Sequence, residues 1–135
     1  MITIDASILV DALLEEIESA KERQRKSKAF LAFLLSQDFE LNAPRIVLVE
    51  VASAIRRLTG RKDVDEALNF IKSNIALHDE RDIIDDAIEI AKEGSRAADA
   101  YYISTAMKTD SILVSADRRM IEIARSLGVK TILIG

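Results

Sequence analysis

Four carboxylates stand in stretches where apolar residues are the rule. Asp5 closes the run Ile2-Thr3-Ile4, and Glu50 interrupts Ile46-Val47-Leu48-Val49-Glu50-Val51-Ala52. Asp99 lies within Ala97-Ala98-Asp99-Ala100-Tyr101-Tyr102-Ile103, and Asp117 follows Ile112-Leu113-Val114-Ser115-Ala116. An ionised carboxylate withdrawn from water without a partner is costly, so such groups neutralise, pair or hold a cation. The sequence places no fixed Lys or Arg beside each of the four, and one shared divalent ion would make all of them tolerable. All-oxygen ligands suit hard cations, Mg²⁺ or Mn²⁺. Such ions activate water and stabilise a leaving 3′-oxygen in in-line displacement at phosphorus. From the residues alone the expected chemistry is metal-dependent phosphoryl hydrolysis.

The rest of the composition narrows the field. There is no cysteine and a single histidine, His78, which excludes thiolate chemistry, cysteine zinc sites and sites needing several imidazoles. At 135 residues, 49% hydrophobic and 31% charged, the chain has the balance of one ordinary globular domain. No stretch is long and apolar enough to span a membrane, and the first residues read as a strand rather than a signal segment. The expectation is an intracellular, cytoplasmic protein. The net charge of −4 argues mildly against nucleic acid, but its distribution argues the other way. Lys21, Arg23, Arg25, Lys26 and Lys28 cluster, as do Arg45, Arg56, Arg57, Arg61 and Lys62, while acids gather from Asp79 to Glu93. Segregated charge can present a basic patch to a polyanion, although solvated helix faces give the same pattern.

The elements that must position the acids alternate between short β-branched runs and helical patterns. Strands are expected at Ile2–Asp5, Phe39–Ala43, Ile75–His78, Ile112–Ser115 and Thr131–Ile134. A helix capped by Ser7 should carry Leu13, Leu14 and Ile17. The charged stretch Ser19–Lys28 should lead into an apolar helix over Ala29–Leu35. Pro44 marks a helix start, with that helix running to Thr59 and stopping at Gly60. Asp63 and Glu66 form a capping pair for a helix burying Val64, Ala67, Leu68 and Ile71. Asp82 opens a helix with Ile84, Ala87, Ile88 and Ala91 on one face, closed by Gly94. Helices at Ala97–Lys108 and Met120–Leu127 complete the series, the last followed by Gly128. Alternation of this kind predicts a mainly parallel sheet covered on both faces, with ligands beyond the carboxyl ends of the strands. Asp5 and Asp117 fall at such ends, and Glu50 and Asp99 near the starts of helices that begin at the same edge. All four are expected on one rim.

Each acid also has a plainer reading. Asp5 and Asp117 are good helix caps. Glu50 has Arg57 two turns along, and Asp99 has Arg96 one turn before it, as possible ion-pair mates. Asp11 fits a solvated position, Asp82, Asp85 and Asp86 a first-turn acidic bias, His78 a structural histidine, and Tyr101 and Tyr102 core or interface. For the four to be incidental, every one of these readings must hold at once.

The segments Ile4-Asp5-Ala6-Ser7, Leu48-Val49-Glu50-Val51-Ala52, Ala98-Asp99-Ala100-Tyr101-Tyr102-Ile103-Ser104-Thr105-Ala106 and Leu113-Val114-Ser115-Ala116-Asp117-Arg118 resemble, in this order, the PIN domain. Within it they are most similar to the VapC-type toxins of prokaryotic toxin–antitoxin pairs. The resemblance covers nearly the whole chain and implies one PIN-like domain over residues 1–135. It implies an α/β/α sandwich with five parallel strands ordered 3-2-1-4-5, and Mg²⁺- or Mn²⁺-dependent endoribonuclease activity. A homodimer and an antitoxin protein partner are implied as well. Carried onto this chain, Asp5, Glu50, Asp99 and Asp117 would be the catalytic and metal-binding acids, Asp5 and Asp99 the most direct. Ser7, Ser115 and Arg118 would stand on the substrate side. Ser115 replaces the more usual threonine and keeps the hydroxyl, and the charged stretch Ser19–Lys28 is longer than usual.

A noncatalytic RNA-binding or assembly module of the same fold is the competing expectation. A degenerate copy should have lost at least one acid, and all four are present. A receiver-like phosphoacceptor is excluded because strand three ends in His78 rather than Asp. A haloacid-dehalogenase-like phosphatase needs an Asp where Ser7 stands, and no glycine-rich phosphate loop occurs.

Overall fold

The computed structural model describes residues 1–59 and 61–135, the side chains of residues 61 and 62 excepted, so the expected helix stop at Gly60 lies outside the described residues. Five short strands, β1 (Ile2–Ile4), β2 (Leu41–Pro44), β3 (Ala76–His78), β4 (Ile112–Ser115) and β5 (Thr131–Leu133), form one sheet in the order β3-β2-β1-β4-β5. Every pairing is parallel, with Ile2 opposite both Leu41 and Ile112, and Ile4 opposite Val114. The helices are α1 (Ala6–Leu13), α2 (Lys21–Ser36), α3 (Val47–Leu58), α4 (Arg61–Asn74), α5 (Glu80–Lys92), α6 (Ala97–Thr109) and α7 (Arg118–Ser126). Helix α1 packs on α2 and α3, α3 on α4, and α5 on α6, giving the α/β/α sandwich that the sequence predicts.

β1 lies at the centre of the sheet, and its burial explains its composition. Ile2, Thr3 and Ile4 are all buried, as are Leu113, Val114 and Ser115 of β4. Val47, Val51 and Ile55 of α3 and Ala100, Ile103 and Ala106 of α6 close the core around them. Strand order reverses between β1 and β4, because the chain leaves β1 toward β2 on one side and returns on the other. A parallel sheet opens a crevice beyond the strand ends at such a point. Asp5 follows β1 directly, and Asp117 follows β4 by two residues.

Several expected boundaries move, each for a local reason. The first helix ends at Leu13, and Leu14 to Ile17 runs outside it. Gln24 holds that connection: its amide donates to the carbonyls of Leu14 (3.4 Å) and Glu15 (2.9 Å) and accepts from Ile17 N–H (2.8 Å). The charged stretch is helical from Lys21 onward rather than a lead-in to Ala29. Pro44 ends β2 instead of opening α3, a place where its missing N–H breaks no pairing to β3. Asp79, not Asp82, caps α5 by accepting from Arg81 N–H at 2.9 Å. The buried face of α5 carries Ile83, Ala87 and Ile90, leaving Ile84 and Ile88 exposed, a quarter-turn rotation from the expected stripe. α7 starts at Arg118 because Asp117 caps it. Gly94 and Gly128 take left-handed backbone conformations just past α5 and α7, as their positions predict. No described helix is long and apolar enough to cross a membrane.

Candidate functional site

Asp5 occupies the extended residue before α1 but caps nothing with its side chain. Its Oδ2 instead accepts from two serines, Ser7 Oγ and Ser115 Oγ, each at 2.7 Å. Ser7 arrives with the first turn of α1, and Ser115 from the end of β4, whose register with β1 brings it alongside. The serines also fix the loop after β4: Ala116 N–H donates to Ser7 Oγ (3.2 Å) and Asp117 N–H to Ser115 Oγ (2.9 Å). Only 5% of Asp5 is exposed. Burial pushes its carboxyl up from 3.8 to about 6, against the two serine hydroxyls and with a further push from Glu50 and Asp99.

Glu50 projects from the first turn of α3, and its Oε1 accepts from the fully buried Tyr102 hydroxyl at 2.6 Å. Burial raises the Glu50 carboxyl, opposed by the Tyr102 hydrogen bond and reinforced by the charge of Asp99. Burial also raises the Tyr102 phenol well above its usual range, with Asp5 and Glu50 adding to the effect, so it remains a donor. Tyr102 lies three residues after Asp99, on the same face of α6.

Asp99 and Asp117 share a cation. Arg96, the residue before α6, donates from Nε to Asp99 Oδ2 at 3.1 Å, and its Nη2 pairs with Asp117 Oδ2. The other oxygen of Asp117 caps α7, accepting from Arg119 N–H (2.9 Å) and Met120 N–H (3.2 Å). Burial raises the Asp99 carboxyl even against this ion pair, because Asp99 is sheltered while the guanidinium is largely in water. Arg96 is itself held further toward its charged form, chiefly by Asp99.

All four acids, with Ser7 and Arg96, line one cleft of about 280 Å³ at the switch point. A neighbouring cleft of about 420 Å³ shares Ser7, Glu50 and Asp117 and is bounded by Arg23 and Arg57. A larger hollow of about 480 Å³ lies at the opposite edge of the sheet, around Met1, Ile112 and Lys130, and contains none of the acids. The four therefore converge as expected, but two of them carry an arginine that was expected for Asp99 alone. Asp5 Oδ1, Glu50 Oε2 and Asp99 Oδ1 accept no hydrogen bond among the described residues. None of these oxygens is sealed from solvent. As a donor set they fit a hard cation. Among the described residues, however, no three acidic or imidazole groups are arranged to grip one ion as they stand.

The remaining residues sort clearly. Ser7 and Ser115 touch Asp5, whereas Arg118 is exposed on α7 and lines neither acid-bearing cleft. Arg57 does not reach Glu50, and its Nε donates instead to the carbonyl of Ser53 at 3.2 Å. Asp11 is buried, not solvated, and receives Arg23 Nε at 2.8 Å. His78 is a structural histidine whose Nε2 meets Asn42 Oδ1 at 2.8 Å, and burial lowers its pKa. Sequence reasoning placed Tyr102 in the core without its role at Glu50; the three-residue spacing from Asp99 was the available signal.

A parallel α/β/α sandwich with a carboxylate-lined crevice at its switch point is the class that fold and site define. The PIN domain family model matches residues 2–126, and the chain belongs to that family. A comparison with curated proteins found no match. Among solved structures, the chain is similar to VapC20 of Mycobacterium tuberculosis, described as a sarcin-ricin loop cleaving toxin. That match has a TM-score of 0.73 at 15% identity over 90% of this chain and 94% of that one. It is similar to VapBC2 of Rickettsia felis bound to a DNA fragment from their promoter, with a TM-score of 0.69 at 16% identity over 100% of both chains. A third is FitAcB of Neisseria gonorrhoeae, with a TM-score of 0.64 at 19% identity over 97% of this chain and 96% of that one. At these identities the likeness establishes the fold.

Proposed function

We propose that this protein is a metal-dependent endoribonuclease, acting as the toxin of a toxin–antitoxin pair. The observation that carries the reading is the meeting of Asp5, Glu50, Asp99 and Asp117 in one cleft. Membership of the PIN family supports it, as does likeness to a toxin described as cleaving the sarcin-ricin loop. Mg²⁺ or Mn²⁺, held by these four acids, would supply an activated water and charge neutralisation at the leaving oxygen. The protein's own groups have definable tasks. Ser7 and Ser115 point Asp5 Oδ1 into the cleft by engaging Oδ2, and Tyr102 does the same for Glu50. Asp117 sets the start of α7. Arg23 and Arg57, on the adjoining cleft, would hold the phosphate backbone of the RNA, and Arg118 would do so from the exposed end of α7. The antitoxin and a second copy of this chain are the expected protein partners, and the whole of residues 1–135 is read as one domain.

One observation favours the noncatalytic alternative: Arg96 already neutralises part of the acid cleft. Cleavage of single-stranded RNA with Mn²⁺, Mg²⁺ or chelator, comparing wild type with Asp99→Asn, separates the two. The nuclease reading expects cleavage that chelator abolishes and Asp99→Asn loses while its melting curve stays cooperative. Metal-independent cleavage, or equal activity in the variant, would reject it.

A further inference from the structure

We propose that Arg96 is a resident counter-ion of the acid cleft, occupying by charge the place that a divalent cation takes when the site is loaded. This rests on the metal-binding reading above and assigns that site a competitor from within the chain. The guanidinium spans two acids on different elements, Asp99 of α6 and Asp117 before α7, and uses the same oxygen, Oδ2, of each. It has no other hydrogen-bond partner among the described residues. Its side chain is 63% exposed while that of Asp99 is 11% exposed, so the cation is the member of the pair free to move. Exposed ion pairs are weak and exchange readily.

The rest of the cleft is built differently. Asp5 and Glu50 are held by neutral hydroxyls that leave their charge in place, whereas Asp99 and Asp117 are held by a charge that cancels part of theirs. Arg96 also accounts for the one feature at odds with a ready metal site. It ties Asp99 Oδ2 and Asp117 Oδ2 to one guanidinium, and among the described residues no three acids are arranged about a common point. A dication and a guanidinium repel, so they cannot share these oxygens cheaply. Release of Arg96 would free Asp99 Oδ2 and Asp117 Oδ2 to hold a dication in its place. Arg96 is thus a positioning residue for Asp99. A purely structural tie between α6 and α7 would not weaken metal binding, and that difference makes the two roles separable.

The test is calorimetric titration of Mn²⁺ into the purified full chain at pH 7 for wild type, Arg96→Gln and Arg96→Lys, with metal-free melting curves for all three. Loss of the competing charge should tighten Mn²⁺ binding by about tenfold or more in Arg96→Gln, with Arg96→Lys staying nearer wild type. Arg96→Lys keeps the charge and the fold test even if the glutamine variant melts early. Mn²⁺ affinity in Arg96→Gln equal to or weaker than wild type overturns the counter-ion role while leaving the nuclease reading standing. Failure of all three proteins to bind Mn²⁺ removes the metal-binding reading, and this inference with it.

Discussion

The inner and outer halves of the acid cleft use the same side-chain chemistry and are held by opposite means. In the inner half, Asp5 and Glu50 receive hydrogen bonds from Ser7, Ser115 and Tyr102, none of which carries charge. In the outer half, Asp99 and Asp117 receive a guanidinium from the surface. Neutral donors fix the direction of a carboxylate and leave its negative potential available, at the cost of keeping an uncompensated charge in a dry place. A cationic donor relieves that cost and cancels the potential. A pair fixed by neutral hydroxyls beside a pair held by an exposed, exchangeable guanidinium is how one site can be both preorganised and stable before its ion arrives.

Substitutions can break each half separately. The largest effect is expected from Asp5→Asn, which keeps both serine contacts possible and removes the central charge. RNA cleavage should fall by roughly a thousandfold or more, measured as initial rate at saturating Mn²⁺. A loss under tenfold would mean that the inner half is scaffolding. Tyr102→Phe and Ser115→Ala come next, since they leave the acids in place but free to turn. Losses of roughly 10- to 100-fold are expected in each, the usual cost of removing a group that orients a metal ligand. Unchanged rates would show that the hydroxyls do not set carboxylate direction.

A stability effect follows from the buried charge. The Asp5 carboxyl titrates at about 6 in the folded chain against an ordinary 3.8. The folded state therefore holds its proton more tightly than the unfolded state does. That contribution to stability is complete below about pH 4 and is lost as pH rises through 6, amounting to roughly 3 kcal/mol across the window. Metal-free protein should accordingly melt lower at pH 7 than at pH 5, by more than Asp5→Asn does. The gain in melting temperature on adding Mn²⁺ should grow over the same interval. A wild-type curve parallel to that of the variant would contradict the burial of an ionisable Asp5.

The smallest effect belongs outside both halves. His78→Gln disturbs the contact between β3 and Asn42 of β2, and should cost about 1 kcal/mol of stability without altering cleavage beyond roughly twofold. A larger fall in activity would extend the site to the edge of the sheet.

Much of this architecture is legible in the chain because the central strands are buried on both faces. β1 and β4 read as short runs dominated by aliphatic and β-branched residues, and a carboxylate just past such a run marks the sheet's carboxyl edge. Asp5 and Asp117 could be placed on that principle alone. The end of α1 could not, since no glycine or proline marks Leu14, and the backbone there is satisfied by Gln24 from the next helix. The face of α5 was misassigned because Ile83, Ile84, Ile88 and Ile90 supply two overlapping apolar stripes, and packing on α6 chooses between them. Arg96 shows the same boundary at the site. Its spacing from Asp99 is visible along α6, but its second partner comes from the far side of β4, which no helical period can report.

The most direct measurement is crystallography of the protein grown with Mn²⁺, with diffraction recorded at the manganese absorption edge. The expected result is an anomalous peak within about 2.2 Å of oxygens from Asp5 and Asp99, with Arg96 withdrawn from both of its acids. Saturating Mn²⁺ that gives no peak in the cleft, with Arg96 still seated between Asp99 and Asp117, would contradict the claim that these four carboxylates form a metal site.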